Sequence, residues 1–184
     1  YAPMALEIKK AQGIYLTTND GKRYIDLISG IGVSNLGHRN HRVAQAIRKQ
    51  VGKYWHTMVY GEYIQAPQVK LARKLAEVLP NTLDSTYFVN SGSEAIEGAL
   101  KLAKRYTGRT KLVAMKNAYH GSTHGALSLM SDPYFSEPYG PLLPNTHFAE
   151  YNNIDSLDII DDQTAAVVVE IVQGEAGYIQ GSKE

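Results

Sequence analysis

The sequence predicts an α/β protein: a three-layer αβα arrangement around a mainly parallel sheet, preceded by a small N-terminal β-hairpin segment. Three observations carry this reading. From residue 85 onward, short β-type runs alternate with helical ones, the signature of βαβ units. The run Ala165-Ala166-Val167-Val168-Val169 is apolar throughout, as expected of a strand covered on both faces. Near the start, Asn19-Asp20-Gly21 separates the apolar runs Ile14-Tyr15-Leu16 and Tyr24-Ile25, a hairpin turn signal.

In chain order, the hairpin covers 13–28, and a glycine-rich loop follows over 29–40. A helix is expected over 41–53, with Val43, Ala46 and Ile47 on one face. A second helix over 66–79 places Val69, Ala72, Leu75, Ala76 and Leu79 at helical spacing. Pro80 stops it, because the residue before a proline avoids the helical region. The alternating part then reads as strand 86–89, helix 92–106, strand 111–115, helix near 122–130, strand near 146–149, short helix near 153–160 and strand 165–171. Between them, 131–145 holds Pro133, Pro138, Pro141 and Pro144 with Tyr134, Phe135 and Tyr139, a packed loop.

Bulk properties exclude several classes of function. With 184 residues the chain has the length of one domain or slightly more. A chain this long buries roughly 70% of its unfolded surface, so it can build a core. A net charge of +1 offers no electrostatic case for nucleic acid or an anionic membrane. Cysteine is absent, which removes disulfides and thiolate zinc sites and fits a reducing compartment, hence a cytoplasmic expectation. No apolar run approaches the ~18 residues of a membrane span. The chain starts at Tyr1 and stops thirteen residues after the last expected strand, so a fragment of a longer protein is expected.

The most informative stretch is Phe88 to Arg105. A β-type run ends at Asn90, a small hydroxyl-rich turn follows, and an amphipathic helix begins. Ser91 and Glu94 have capping-box spacing. Ile96, Ala99, Leu100 and Ala103 mark the apolar face, and Glu97 and Lys101 are spaced to pair on the other side. Gly92 lets the backbone approach a ligand, and Ser93 adds a hydroxyl to the free N–H groups at the positive end of the helix. That chemistry suits a phosphate. Taken locally, the same residues also describe nothing more than a well-capped helix.

The wider pattern resembles the class III aminotransferases (ornithine, acetylornithine and 4-aminobutyrate type), fold-type I enzymes that use pyridoxal 5′-phosphate. Four segments carry the resemblance in order. They are Asp20-Gly21-Lys22-Arg23-Tyr24-Ile25-Asp26 through Leu36-Gly37-His38; Asn90-Ser91-Gly92-Ser93-Glu94-Ala95; Tyr119-His120-Gly121; and Glu170-Ile171-Val172-Gln173-Gly174-Glu175-Ala176-Gly177. The resemblance implies that 1–53 belongs to the small domain and 54–184 to the first half of the large cofactor-binding domain. It implies cofactor contacts from Ser91, Gly92 and Ser93, a ring of Tyr119 stacked on the pyridine, and a supporting hydrogen-bonding role for His120. Glu175 and Ser122 fall on the substrate side, and Glu170 helps to orient the cofactor surroundings. A homodimer is implied, with the aromatic segment Trp55–Tyr63 reaching the neighbouring site.

Two residues depart from the family pattern. Ile171 stands where proline is common, a change of local backbone. Ser122 stands where ornithine and acetylornithine enzymes carry arginine, and serine cannot clamp a carboxylate in the bidentate way. The amino donor therefore stays open: an amino acid or an ω-amine, with a 2-oxo acid as acceptor. The family's cofactor lysine and its Asp-containing strand lie further along than Glu184, so this chain alone is expected to be inactive and to hold no catalytic residue. The competing readings are a non-catalytic α/β module that binds a small phosphate ligand, and a nucleotide-binding domain. Against the latter, Ser29-Gly30-Ile31-Gly32 lacks a third glycine and no Walker lysine follows Gly92. The His38/His41 and His120/His124 spacings have no third ligand, so no metal site is expected.

Overall fold

The computed structural model describes residues 4–58 and 61–183. Val59 and Tyr60, inside the aromatic segment expected to reach a neighbouring site, lie outside the described residues. The chain forms two compact units, Tyr1–Val78 and Leu79–Glu184.

The first unit holds an antiparallel sheet of β1 (Ile8–Gln12), β2 (Tyr15–Thr18) and β3 (Arg23–Ile25), in that order. The β2–β3 hairpin is the expected one. Gly21 adopts φ +83° at its turn, and Thr18 N–H closes it on the Lys22 carbonyl at 3.0 Å. Strand β1 is an addition: Ile8-Lys9-Lys10-Ala11-Gln12 has no apolar alternation, and the ladder to β2 defines it. The glycine-rich loop is pinned by Asp26. Its Oδ1 accepts from Ile28 N–H (3.0 Å) and Ser29 N–H (2.9 Å), and its Oδ2 meets His38 Nε2 at 2.6 Å. The His38 contact, then the Ser29 amide, hold the Asp26 carboxyl below its usual range. Two helices follow. In α1 (His41–Val51), Asn40 Oδ1 caps the N–H groups of Arg42 and Val43, and α2 (Ala66–Val78) ends just before Leu79-Pro80.

The second unit is built on a parallel sheet of β4 (Lys111–Met115), β5 (Thr146–Ala149) and β6 (Thr164–Val168), with β4 in the middle. Helix α3 (Gly92–Thr107) covers one face, where Leu100 packs with Leu112, Ala114 and Leu129. A 3₁₀ segment, Ile154–Ile159, covers the other, over Val113, Met115 and Ala149. Burying a Leu or Val fully stabilises by about 1.5–3 kcal/mol, and Leu112 and Val113 are both 0% exposed.

Several expectations are corrected here. Residues 86–89 pair with no described strand; composition favours a strand, but a strand needs a ladder. The 165–171 run ends as β6 at Val168, which among the described residues pairs only with β4, and Val167 is 40% exposed. The two residues Val172–Gln173 (β7) instead pair antiparallel with Ile179–Gln180 (β8). The helix near 122–130 shrinks to α4 (His124–Leu127), a buried turn continued by i→i+3 hydrogen bonds to Met130. Ala99 is exposed although it was placed on the apolar face of α3. Glu97 turns inward to accept from Gly125 N–H at 2.9 Å, and no Glu97–Lys101 ion pair forms among the described residues. The 131–145 loop contains a helical turn, α5 (Pro133–Ser136), capped by Asp132.

Candidate functional site

The site is assembled within the second unit, beginning at the start of α3. Ser91 is extended (φ −149°, ψ 163°), and its Oγ accepts from Glu94 N–H at 3.2 Å. Glu94 reaches back, its Oε2 accepting from Asn90 N–H (2.7 Å) and from Asn90 Nδ2 (3.2 Å). The capping box is therefore closed on both sides. It leaves the N–H groups of Gly92 and Ser93 without a partner among the described residues, at the positive end of a 16-residue helix. A Cβ built on Gly92 meets no heavy atom within 4 Å, so the backbone there faces open space.

The second piece is the turn after β4. Asn117 takes a left-handed conformation (φ 61°) and donates its N–H to Ser131 Oγ at 3.1 Å, bending the chain off the strand end. Gly121 then crosses α3 at close range. Its φ is +130°, and a Cβ on it would lie 2.1 Å from Ser93 Oγ and 3.0 Å from Ser93 Cα. Only glycine permits that approach. It lets Ser122 N–H donate to Ser93 Oγ at 3.3 Å, while Ser122 Oγ pairs with the Tyr119 hydroxyl at 3.2 Å. Tyr119 is 45% exposed, which leaves ring surface available. His120 is 9% exposed, and its Nε2 has no partner among the described residues. Burial pushes its pKa below the ordinary value, opposed by the Glu170 carboxylate, so the imidazole is neutral at neutral pH.

The third piece follows β6. The Glu170 carboxylate accepts from Tyr119 N–H at 2.8 Å through Oε1 and from Gly174 N–H at 3.1 Å through Oε2. Gln173 is 1% exposed and donates from Nε2 to the Lys116 carbonyl at 2.8 Å, fixing the same strand end. Glu175 lies in the β7–β8 turn, exposed, with no side-chain partner among the described residues.

Of the residues singled out from sequence, Ser93, Tyr119 and Ser122 are joined by direct hydrogen bonds, with Gly92 beside them and His120 buried next to Tyr119. The Ser91 oxygen serves the helix cap as acceptor, and its hydroxyl proton remains available to a ligand. Among the described residues, Glu175 is connected to the group through its neighbour Gly174. The double acceptor role of Glu170 and the Gly121–Ser93 contact are not visible in sequence, although both residues sit inside the motifs. Two free N–H groups, several hydroxyls and a flat aromatic suit a phosphorylated ring compound.

The Aminotransferase class-III family model matches residues 1–184. Acetylornithine aminotransferase of Archaeoglobus fulgidus is 42% identical over 185 residues, covering 100% of this chain and 48% of that protein. The crystal structure of adenosylmethionine-8-amino-7-oxononanoate aminotransferase from Methanocaldococcus jannaschii superposes with a TM-score of 0.90 at 29% identity, over 98% of this chain and 44% of that one. An ornithine aminotransferase from Toxoplasma gondii, described with partial occupancy of pyridoxal phosphate, does so with a TM-score of 0.83 at 25% identity, over 99% and 44%. The chain spans about half the length of the curated relatives it matches.

Proposed function

The chain belongs to the class III aminotransferase family, and on that premise we propose that it forms the cofactor-phosphate cradle and ring-stacking face of an enzyme moving an amino group from an amino acid or ω-amine to a 2-oxo acid. The cofactor is pyridoxal 5′-phosphate, which when bound would supply an electron sink for the reacting substrate carbon. The N–H groups of Gly92 and Ser93 bind the phosphate, with the Ser91 and Ser93 hydroxyls beside them. The Tyr119 ring, held at its hydroxyl by Ser122, would stack on the pyridine and keep water from one face. His120, buried and neutral, supports that turn. Glu175 stands on the substrate side.

The observation that carries this reading is the Tyr119–Ser122–Ser93 chain of hydrogen bonds, which ties the aromatic residue to the start of α3. The donor is kept at the level of a class, because Ser122 lacks the guanidinium that would clamp an α-carboxylate. These 184 residues alone are inactive in this reading. Among their lysines, Lys111 is paired with Asp161 and Lys116 with Glu150. The working enzyme is a cytoplasmic homodimer.

Gly92→Val tests the cradle in the full-length protein. A Cβ at Gly92 meets no heavy atom within 4 Å, so the branch point of the new side chain fits the fold and the loss falls on the ligand. Pyridoxal phosphate should bind about tenfold more weakly or worse, roughly 1.4 kcal/mol, by absorbance titration after dialysis. Unchanged affinity would remove the cradle assignment.

A further inference from the structure

We propose that Glu170 is a positioning residue whose carboxylate, shared between the Tyr119 and Gly174 N–H groups, sets the spacing between the turn bearing the stacking ring and the turn bearing Glu175. The inference deepens the function proposed above and rests on it for what the two turns hold.

The geometry requires a carboxylate. Two backbone N–H groups, one 51 residues away in sequence and one four residues away, point at its two oxygens from different loops. An ionised carboxylate is acceptor-only at both ends, whereas an amide offers one acceptor and one donor. Glutamine therefore keeps one of the two bonds and sets an NH₂ against the other N–H. The backbone of Glu170 is itself fixed, since the Tyr151 hydroxyl lies 3.0 Å from its carbonyl and 2.9 Å from that of Ile171. From this anchored point a continuous path runs through Tyr119 N–H, the Tyr119 hydroxyl, Ser122 and Ser93 to the start of α3. Glu170 touches neither phosphate cradle nor ring; it acts through the backbone of the residues that do.

The test uses the full-length protein with pyridoxal phosphate, as wild type, E170Q and E170A. Amide hydrogen exchange is read at Tyr119, Gly174 and, as a control, Leu112–Met115 of β4. Visible circular dichroism of the bound cofactor reports how tightly its ring is fixed. In E170A both amides should exchange at least about tenfold faster, as the loss of hydrogen bonds to a charged group implies. In E170Q only one of the two should accelerate. The β4 amides stay unchanged, and the dichroism falls while the cofactor remains bound. Unchanged Tyr119 and Gly174 amides in E170A would overturn the proposal. So would acceleration spread equally over β4, which would make Glu170 a general fold support, or faster amides with unaltered dichroism. If E170A fails to fold, E170Q decides: one accelerated amide supports the proposal and none overturns it. A wild type that binds no pyridoxal phosphate sinks the functional reading instead, and the amide pattern then decides the clamp on its own.

Discussion

Gly121→Ala is the sharpest perturbation available, because two independent costs meet at one atom. The first is conformational. Gly121 sits at φ +130°, a region essentially reserved for glycine, and a side chain held there costs about 1–3 kcal/mol. The second is steric. The added methyl would lie 2.1 Å from Ser93 Oγ, 2.9 Å from Ser93 Cβ and 3.0 Å from Ser93 Cα. The hydroxyl can rotate away, but the Cβ and Cα belong to the first turn of α3 and move only with the helix. Overpacking of this kind costs about 1–3 kcal/mol. The sum, roughly 2–6 kcal/mol, is a large part of the ~5–15 kcal/mol that holds a typical domain together. Urea denaturation of wild type, Gly121→Ala, Ser93→Gly and the double variant separates the terms. Ser93→Gly removes the Oγ and Cβ contacts and leaves the φ penalty, so the double variant should recover about 1–3 kcal/mol relative to additivity. A Gly121→Ala protein within about 0.5 kcal/mol of wild type, or a cycle with no coupling, would refute the close-approach argument.

Two other predictions concern the core and the buried imidazole. Leu112→Ala empties a site that is 0% exposed on the central strand and should cost about 2–5 kcal/mol; a loss below about 1 kcal/mol by calorimetry would contradict the packing described. Because burial holds the His120 pKa below its ordinary 6.5, the unfolded chain binds the proton first as pH falls. Its contribution to stability is thus complete above about pH 6.5 and declines below that, down to the folded-state pKa. Urea midpoints across that window should fall for wild type and fall less for His120→Gln; parallel curves would show that His120 is not held neutral.

Much of the site is legible in the residues themselves. Ser91 and Glu94 announce the cap by spacing, and the cap alone fixes where the free N–H groups of α3 lie. The three motifs around Ser91, Tyr119 and Glu175 are each local, and their order along the chain carries the family resemblance before any contact is known. Misreadings arise where a local pattern had to stand for a non-local partner. Tyr87-Phe88-Val89 has strand composition but no described ladder, and the ladder of the apolar run from Ala165 stops at Val168. Glu97 has the spacing for Lys101 and takes the Gly125 amide instead, because that N–H is brought to it by the crossing of α4.

The amino-acid order by itself determined the three long helices α1, α2 and α3, the hairpin turn and the identity of the groups offered to a phosphate, since caps, turns and periodicity depend on neighbours a few residues apart. Tertiary structure alone decided which of β4, β5 and β6 is central, why Gly121 must be glycine, and that one carboxylate at Glu170 serves two loops. Those facts depend on distances between residues tens of positions apart, and such distances are set by packing the whole unit.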